Sequence, residues 1–83
     1  MYMVGDTVPC KKGDEWGVVM AMEADGELKH ESVPYSITGT KQDPAYLVET
    51  EEGKSYLEWQ SDINVSYEVI MKRLYELVKK DTD

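Results

Sequence analysis

Phenylalanine is absent from this 83-residue chain, and cysteine and histidine occur once each. A lone Cys10 cannot form an internal disulfide, whereas small secreted domains usually contain several bridges. The first residues, Met1 to Asp6, include no basic segment and no long apolar run, so no signal peptide is expected. No stretch approaches the roughly 18 apolar residues that a membrane span needs. These absences point to a cytoplasmic protein, of a bacterium or a virus of one, with no membrane contact. His30 sits in a polar stretch between Glu27 and Glu31, twenty residues from Cys10. A metal site would need more nitrogen or sulfur ligands at defined spacing, so no metal or other cofactor is expected. A Cys10–His30 catalytic pair would lack an orienting third group and an oxyanion site. Cys10, behind Pro9, reads instead as a small, semi-buried residue. The carboxylates are scattered, with no cleft to pair them. No phosphate-binding glycine loop is present. The chain is therefore not expected to be an enzyme.

Bases are also scarce. The net charge is −8. Residues 1–63 contain thirteen acids against five lysines, and residues 64–83 contain four of each sign. The first part thus carries all the net charge. It would repel a polyanion, so direct nucleic-acid binding is not expected. The acidic surface is either a solubility device or a mimic of nucleic-acid charge that meets a basic partner.

What the chain does contain is a series of short β-type runs followed by one helical period. Eighty-three residues make a single domain that buries roughly 60–65% of its unfolded surface. The runs are Met3–Val8, Glu15–Met22, Ala45–Thr50 and Ser55–Trp59. In the second, Trp16, Val18, Met20 and Met22 alternate with Gly17, Val19 and Ala21. Both faces are apolar, and Gly17 permits a bend or a close backbone approach. Asp25-Gly26 is a hairpin signal. Leu28 to Asp43 is a long polar connection with room for a short strand at Tyr35-Ser36-Ile37. Glu51 to Lys54 closes a hairpin between Ala45–Thr50 and Ser55–Trp59, with Gly53 in the left-handed position. From Ser66, as the cap, to about Lys80 the period changes. Tyr67, Ile70, Met71, Leu74, Leu77 and Val78 recur at helical steps. This stripe is expected to pack against the strands.

The pattern predicts a mainly β fold: a small, bent antiparallel barrel of the SH3 or Tudor kind with one C-terminal amphipathic helix. The barrel would span residues 1–63, the helix 64–80 and a short tail 81–83. With no Phe, the aromatic bulk comes from Trp and Tyr, whose polar tips suit partial exposure. Trp16, Tyr35, Tyr46, Tyr56 and Trp59 lie on or near the strands. They are either core or a partner-binding surface of the sort that grips proline-rich peptides or methylated ammonium groups.

Several segments, read in order, resemble a known family. Val4-Gly5-Asp6-Thr7-Val8 precedes Trp16-Gly17-Val18-Val19, and after a long loop come Asp43-Pro44-Ala45-Tyr46-Leu47-Val48 and Tyr56–Ile63. This series, over about residues 4–63, resembles the YccV-like, or HspQ, family of small bacterial barrels. It is also similar to bacterial Tudor-like domains of the hypervirulence-associated type. The resemblance implies a β-barrel that binds proteins. HspQ-like proteins are associated with regulated proteolysis and were first linked to hemimethylated DNA, a link that the acidic charge here opposes. The reading is a protein-binding adaptor or regulator. Its rivals are an acidic, phage-encoded inhibitor occupying a nucleic-acid site on a host protein, and a structural subunit of a larger assembly.

Overall fold

A computed structural model describes residues 1–81, so the end of the expected tail, residues 82 and 83, lies outside the described residues. Six strands precede one helix: β1 (Thr7–Cys10), β2 (Glu15–Glu23), β3 (Gly26–Leu28), β4 (Ile37–Gly39), β5 (Ala45–Thr50), β6 (Ser55–Trp59) and α1 (Gln60–Asp81). An antiparallel sheet runs in the order β1-β2-β5-β6, and β3 and β4 form a separate antiparallel pair.

The alternation in β5 explains the layering. Tyr46, Val48 and Thr50 point to one face, and Ala45 and Leu47 to the other. The first face joins Val8, Cys10, Val19, Tyr46 and Val48 to Ile63 of the helix. The second face joins Ala45 and Leu57 to Ile37 of β4, with Leu28 of β3 packed alongside. The sheet thus lies between the helix and the β3–β4 pair. Two glycines allow this close packing. A Cβ on Gly17 would come within 2.5 Å of Val48 Cγ1, and one on Gly39 within 1.9 Å of the Glu23 carbonyl oxygen. The β5–β6 hairpin forms in the expected register, with Tyr46 opposite Glu58 and Leu47 opposite Leu57. Gly53 closes it at φ +82°.

Four expectations are corrected. First, the sheet is not a closed barrel, and the fold mixes sheet with a long helix. β1 and β6 are its edges, and no ladder joins them among the described residues. The chain enters the helix directly after β6, and no later strand bridges the gap among the described residues. A side chain does so instead: the Lys11 backbone N–H donates to Glu58 Oε2 at 3.1 Å. Second, the first strand begins at Thr7, not Met3. Gly5, at φ +96°, turns the chain before it, and Met3 and Val4 are exposed. Third, Asp25-Gly26 turns the chain out of the main sheet instead of folding β3 back along β2. β3 pairs with β4, which forms within the long connection at Ile37–Gly39, two residues later than the short strand considered at Tyr35-Ser36-Ile37.

Fourth, the helix starts at Gln60, six residues earlier than expected. Ser66 is therefore not a cap. It is fully buried inside the helix, and its hydroxyl has no hydrogen-bond partner. The true cap is supplied from a distance. Asp43 accepts the Ser61 backbone N–H at 2.9 Å and its hydroxyl at 2.8 Å. Asp62 reaches back to the Trp59 N–H at 3.1 Å, one half of a capping box. The apolar stripe also packs only over its first turns. Ile63, Tyr67 and Ile70 meet the sheet and the 3₁₀ turn Lys11–Gly13. Arg73 is anchored to the Gly13 carbonyl at 3.3 Å and to Asp14 at 3.4 Å. From Met71 onward the stripe is open: Met71, Leu74, Leu77 and Val78 are exposed, as is Tyr75. The helix overhangs the sheet, and the molecule with its helix is 49 Å along its longest axis. No helix among the described residues is long and apolar enough to cross a membrane.

Candidate functional site

The five aromatics singled out from the sequence go to different places. Tyr46 is completely buried and lines no surface. Its hydroxyl donates to Gln60 Oε1 at 3.0 Å and accepts the Tyr2 backbone N–H at 3.1 Å. This makes it a core residue that ties the N-terminal segment to the start of the helix. Tyr56 is half-buried under the Lys11 ammonium, which lies 5.0 Å from the ring centroid. The Glu15 carboxylate beside its hydroxyl pushes the phenol up to about 12. Trp16 is 48% exposed, and its ring stands edge-on to Tyr67 at 6.2 Å. It lies apart from the remaining two.

Tyr35 and Trp59 come together. They share a groove of about 620 Å³ with Ile37, Leu57 and Val65. Tyr35 is 51% exposed and Trp59 37%. The Trp59 ring is held in place, because its indole N–H donates to the Thr38 carbonyl at 2.9 Å. The groove forms because Leu57 and Trp59 alternate on the same side of β6, while the β3–β4 pair carries Tyr35 and Ile37 toward them. Its polar rim is of mixed sign, with Lys11 and Lys12 beside Asp14, Glu58 and Asp62. Burial pushes the Glu58 carboxyl up, against the lowering pull of the Lys11 N–H; one of its oxygens is buried with no hydrogen-bond partner.

The lysine rim was not legible in the sequence. Lys11 and Lys12 both sit at φ +54°, followed by Gly13 at +85°. Two consecutive non-glycine residues in the left-handed region store backbone strain, and such strain collects at working surfaces. Lys-Lys-Gly-Asp gives no local signal for it beyond the glycine. The contact with Val69 and Ile70 holds the turn in place.

Cys10 and His30 occupy unlike surroundings. Cys10 is fully buried in the core under the helix. Burial, with Glu58 and Glu15 nearby, pushes its thiol up to about 11. His30 follows β3, where its Nδ1 lies 2.7 Å from the Ser32 hydroxyl. No group of three or more His, Cys, Asp and Glu side chains among the described residues is placed to hold a metal ion.

The chain matches no protein-family model, no curated protein and no solved structure.

Proposed function

We propose that this chain is a small cytoplasmic protein-binding module, of the adaptor or regulatory kind implied by its resemblance to the HspQ-like barrels, with the curled sheet an open variant of an SH3- or Tudor-like barrel. The binding surface is the Tyr35–Trp59 groove. One observation carries this reading: two aromatics 24 positions apart in sequence line a single exposed groove, and one of them is fixed by a hydrogen bond. A pre-positioned tryptophan loses little freedom on binding and supplies a large apolar contact. The apolar floor and mixed-sign rim suit a short peptide segment with one apolar anchor and flanking charges of both signs. A role as a nucleic-acid mimic would rest on an acidic surface, and this rim is not uniformly acidic. No residue is assigned a catalytic role.

The test uses a displayed library of short random peptides panned on the intact protein. Trp16→Phe leaves Trp59 as the only tryptophan, so its fluorescence reports binding. Selected peptides should shift that signal and lose affinity in Trp59→Ala and Tyr35→Ala, with little effect of salt. A triple neutralisation of Glu49, Glu51 and Glu52, which line a different groove, should leave affinity unchanged. The reading fails if no peptide is enriched. It also fails if the triple variant loses more affinity than Trp59→Ala and the salt slope is steep.

A further inference from the structure

A second groove, distinct from the one proposed to bind peptides, holds Trp16. Along β2, Trp16, Val18 and Met20 alternate and are all exposed. Trp16 and Val18 form the apolar floor of a groove of about 410 Å³. Glu15, Glu49, Glu51 and Glu52 stand around it. Lys54 pairs with Glu15 at 3.8 Å and with Glu52 at 3.6 Å. Four carboxylates against one ammonium leave this rim net negative. An apolar floor inside an acidic rim calls for an apolar segment flanked by bases.

The same chain carries such a segment. The helix overhang, residues 71–81, has four bases, Lys72, Arg73, Lys79 and Lys80, against two acids, Glu76 and Asp81. Its net charge is +2, or +1 with Arg73 set aside because it pairs with Asp14 of its own copy, on a chain whose total is −8. Met71, Leu74, Leu77 and Val78 continue the face that packs on the sheet through Ile63, Tyr67 and Ile70, and all four are exposed. Leu74 is 51% exposed, on a face whose apolar side chains gain from burial.

We propose that the helix overhang of one copy docks, apolar face down, into the glutamate-rimmed Trp16–Val18 groove of a second copy. Charge complementarity selects this occupant. Pairing of two overhangs with each other would bring two net-positive segments together, whereas the groove meets each with the opposite sign. Helix-in-groove docking reads apolar anchors at three- and four-residue steps, the spacing of Met71, Leu74, Leu77 and Val78.

Sedimentation of the full chain across a protein and salt series tests this. The mass should exceed that of a monomer at low salt and fall toward it as salt rises. Leu74→Asp should melt like the parent, since the site is exposed, and weaken self-association by about 30-fold or more, as for a central anchor. Trp16→Ala should weaken it similarly. Because Trp16 also touches Tyr67, a charge exchange provides an independent check. Glu49→Lys with Glu51→Lys should abolish self-association, and so should Lys72→Glu with Lys79→Glu. A one-to-one mixture of the two double variants should restore it. A parent that stays monomeric at every concentration overturns the proposal. So does self-association that survives Glu49→Lys with Glu51→Lys, which would mean helix-on-helix pairing. A mixture that fails to reassemble overturns it as well.

Discussion

Asp43 caps a helix that begins 17 residues after it, taking both the backbone N–H and the hydroxyl of Ser61. The same corner is closed by the Gln60 N–H, which donates to the Pro44 carbonyl at 2.9 Å. One carboxylate thus fixes where the strand ends and the helix begins. Asp43→Ala should cost about 1–2 kcal/mol, as loss of a helix cap does, with a charged acceptor toward the upper end. Urea unfolding measures it. A variant as stable as the parent would mean that water replaces the carboxylate at no cost.

Ser66 gives a prediction of opposite sign. Its hydroxyl is buried in the helix–sheet contact without a partner, and an unmet buried hydroxyl costs more than it returns. Ser66→Ala removes that group and adds a better helix former. Stability should rise by about 1 kcal/mol. A fall in the melting temperature would refute the reading.

Glu58 makes stability depend on pH. Its carboxyl is raised chiefly by burial, so the folded state favours the protonated form. The stabilising contribution is fully present below the unfolded value, roughly 4.3, and is lost as pH rises through the folded value. At neutral pH the buried charge is a liability. Glu58→Gln retains an acceptor for the Lys11 N–H without that charge. It should raise the melting temperature at pH 7, with the gain shrinking toward pH 4. Equal gains at both pH values would show that charge is not the cause.

Cys10 should be inert in the native protein. A thiol pushed up to about 11 holds almost no thiolate at pH 8, and the site is closed to reagents. An aromatic disulfide reagent should react only as fast as the chain unfolds, and promptly in denaturant. By the same shift, Cys10 contributes stability below its unfolded value of roughly 8.5 that is lost as pH rises toward about 11. Fast stoichiometric labelling of the folded protein would contradict this account.

The elements readable in the sequence are those whose causes are local. The β5–β6 hairpin follows from period-two alternation and one left-handed glycine, both contained in fifteen residues. β2 follows from its apolar alternation, and Gly17 makes the close approach that its position implied. The helix start was hidden because its main cap comes from Asp43, across an intervening hairpin. Only Asp62, three residues after Trp59, marked it locally. The fate of the helix face was hidden for another reason. Periodicity shows that a face is apolar but not whether anything lies beneath it, and here Met71, Leu74, Leu77 and Val78 are left exposed. The aromatics divide for the same cause. Tyr46 and Trp59 look alike in composition, yet one points into the helix-side core and the other into a groove, according to strand parity and what covers each face.

The junction between chain ends sets the order in which the protein can be completed. Val8 packs with Ile63, and Tyr2 hydrogen-bonds Asn64 and stacks on Tyr67. A nascent chain leaving the ribosome therefore presents β1 and β2 long before the segment that covers them exists. Until Ile63 emerges, the helix-side face of the sheet remains bare. During that interval Val8, Val19 and Val48 are open to a chaperone or to a neighbouring nascent chain. Folding must wait for contacts nearly sixty residues apart, so the exposure lasts until the segment that carries Ile63 and Tyr67 is free to pack.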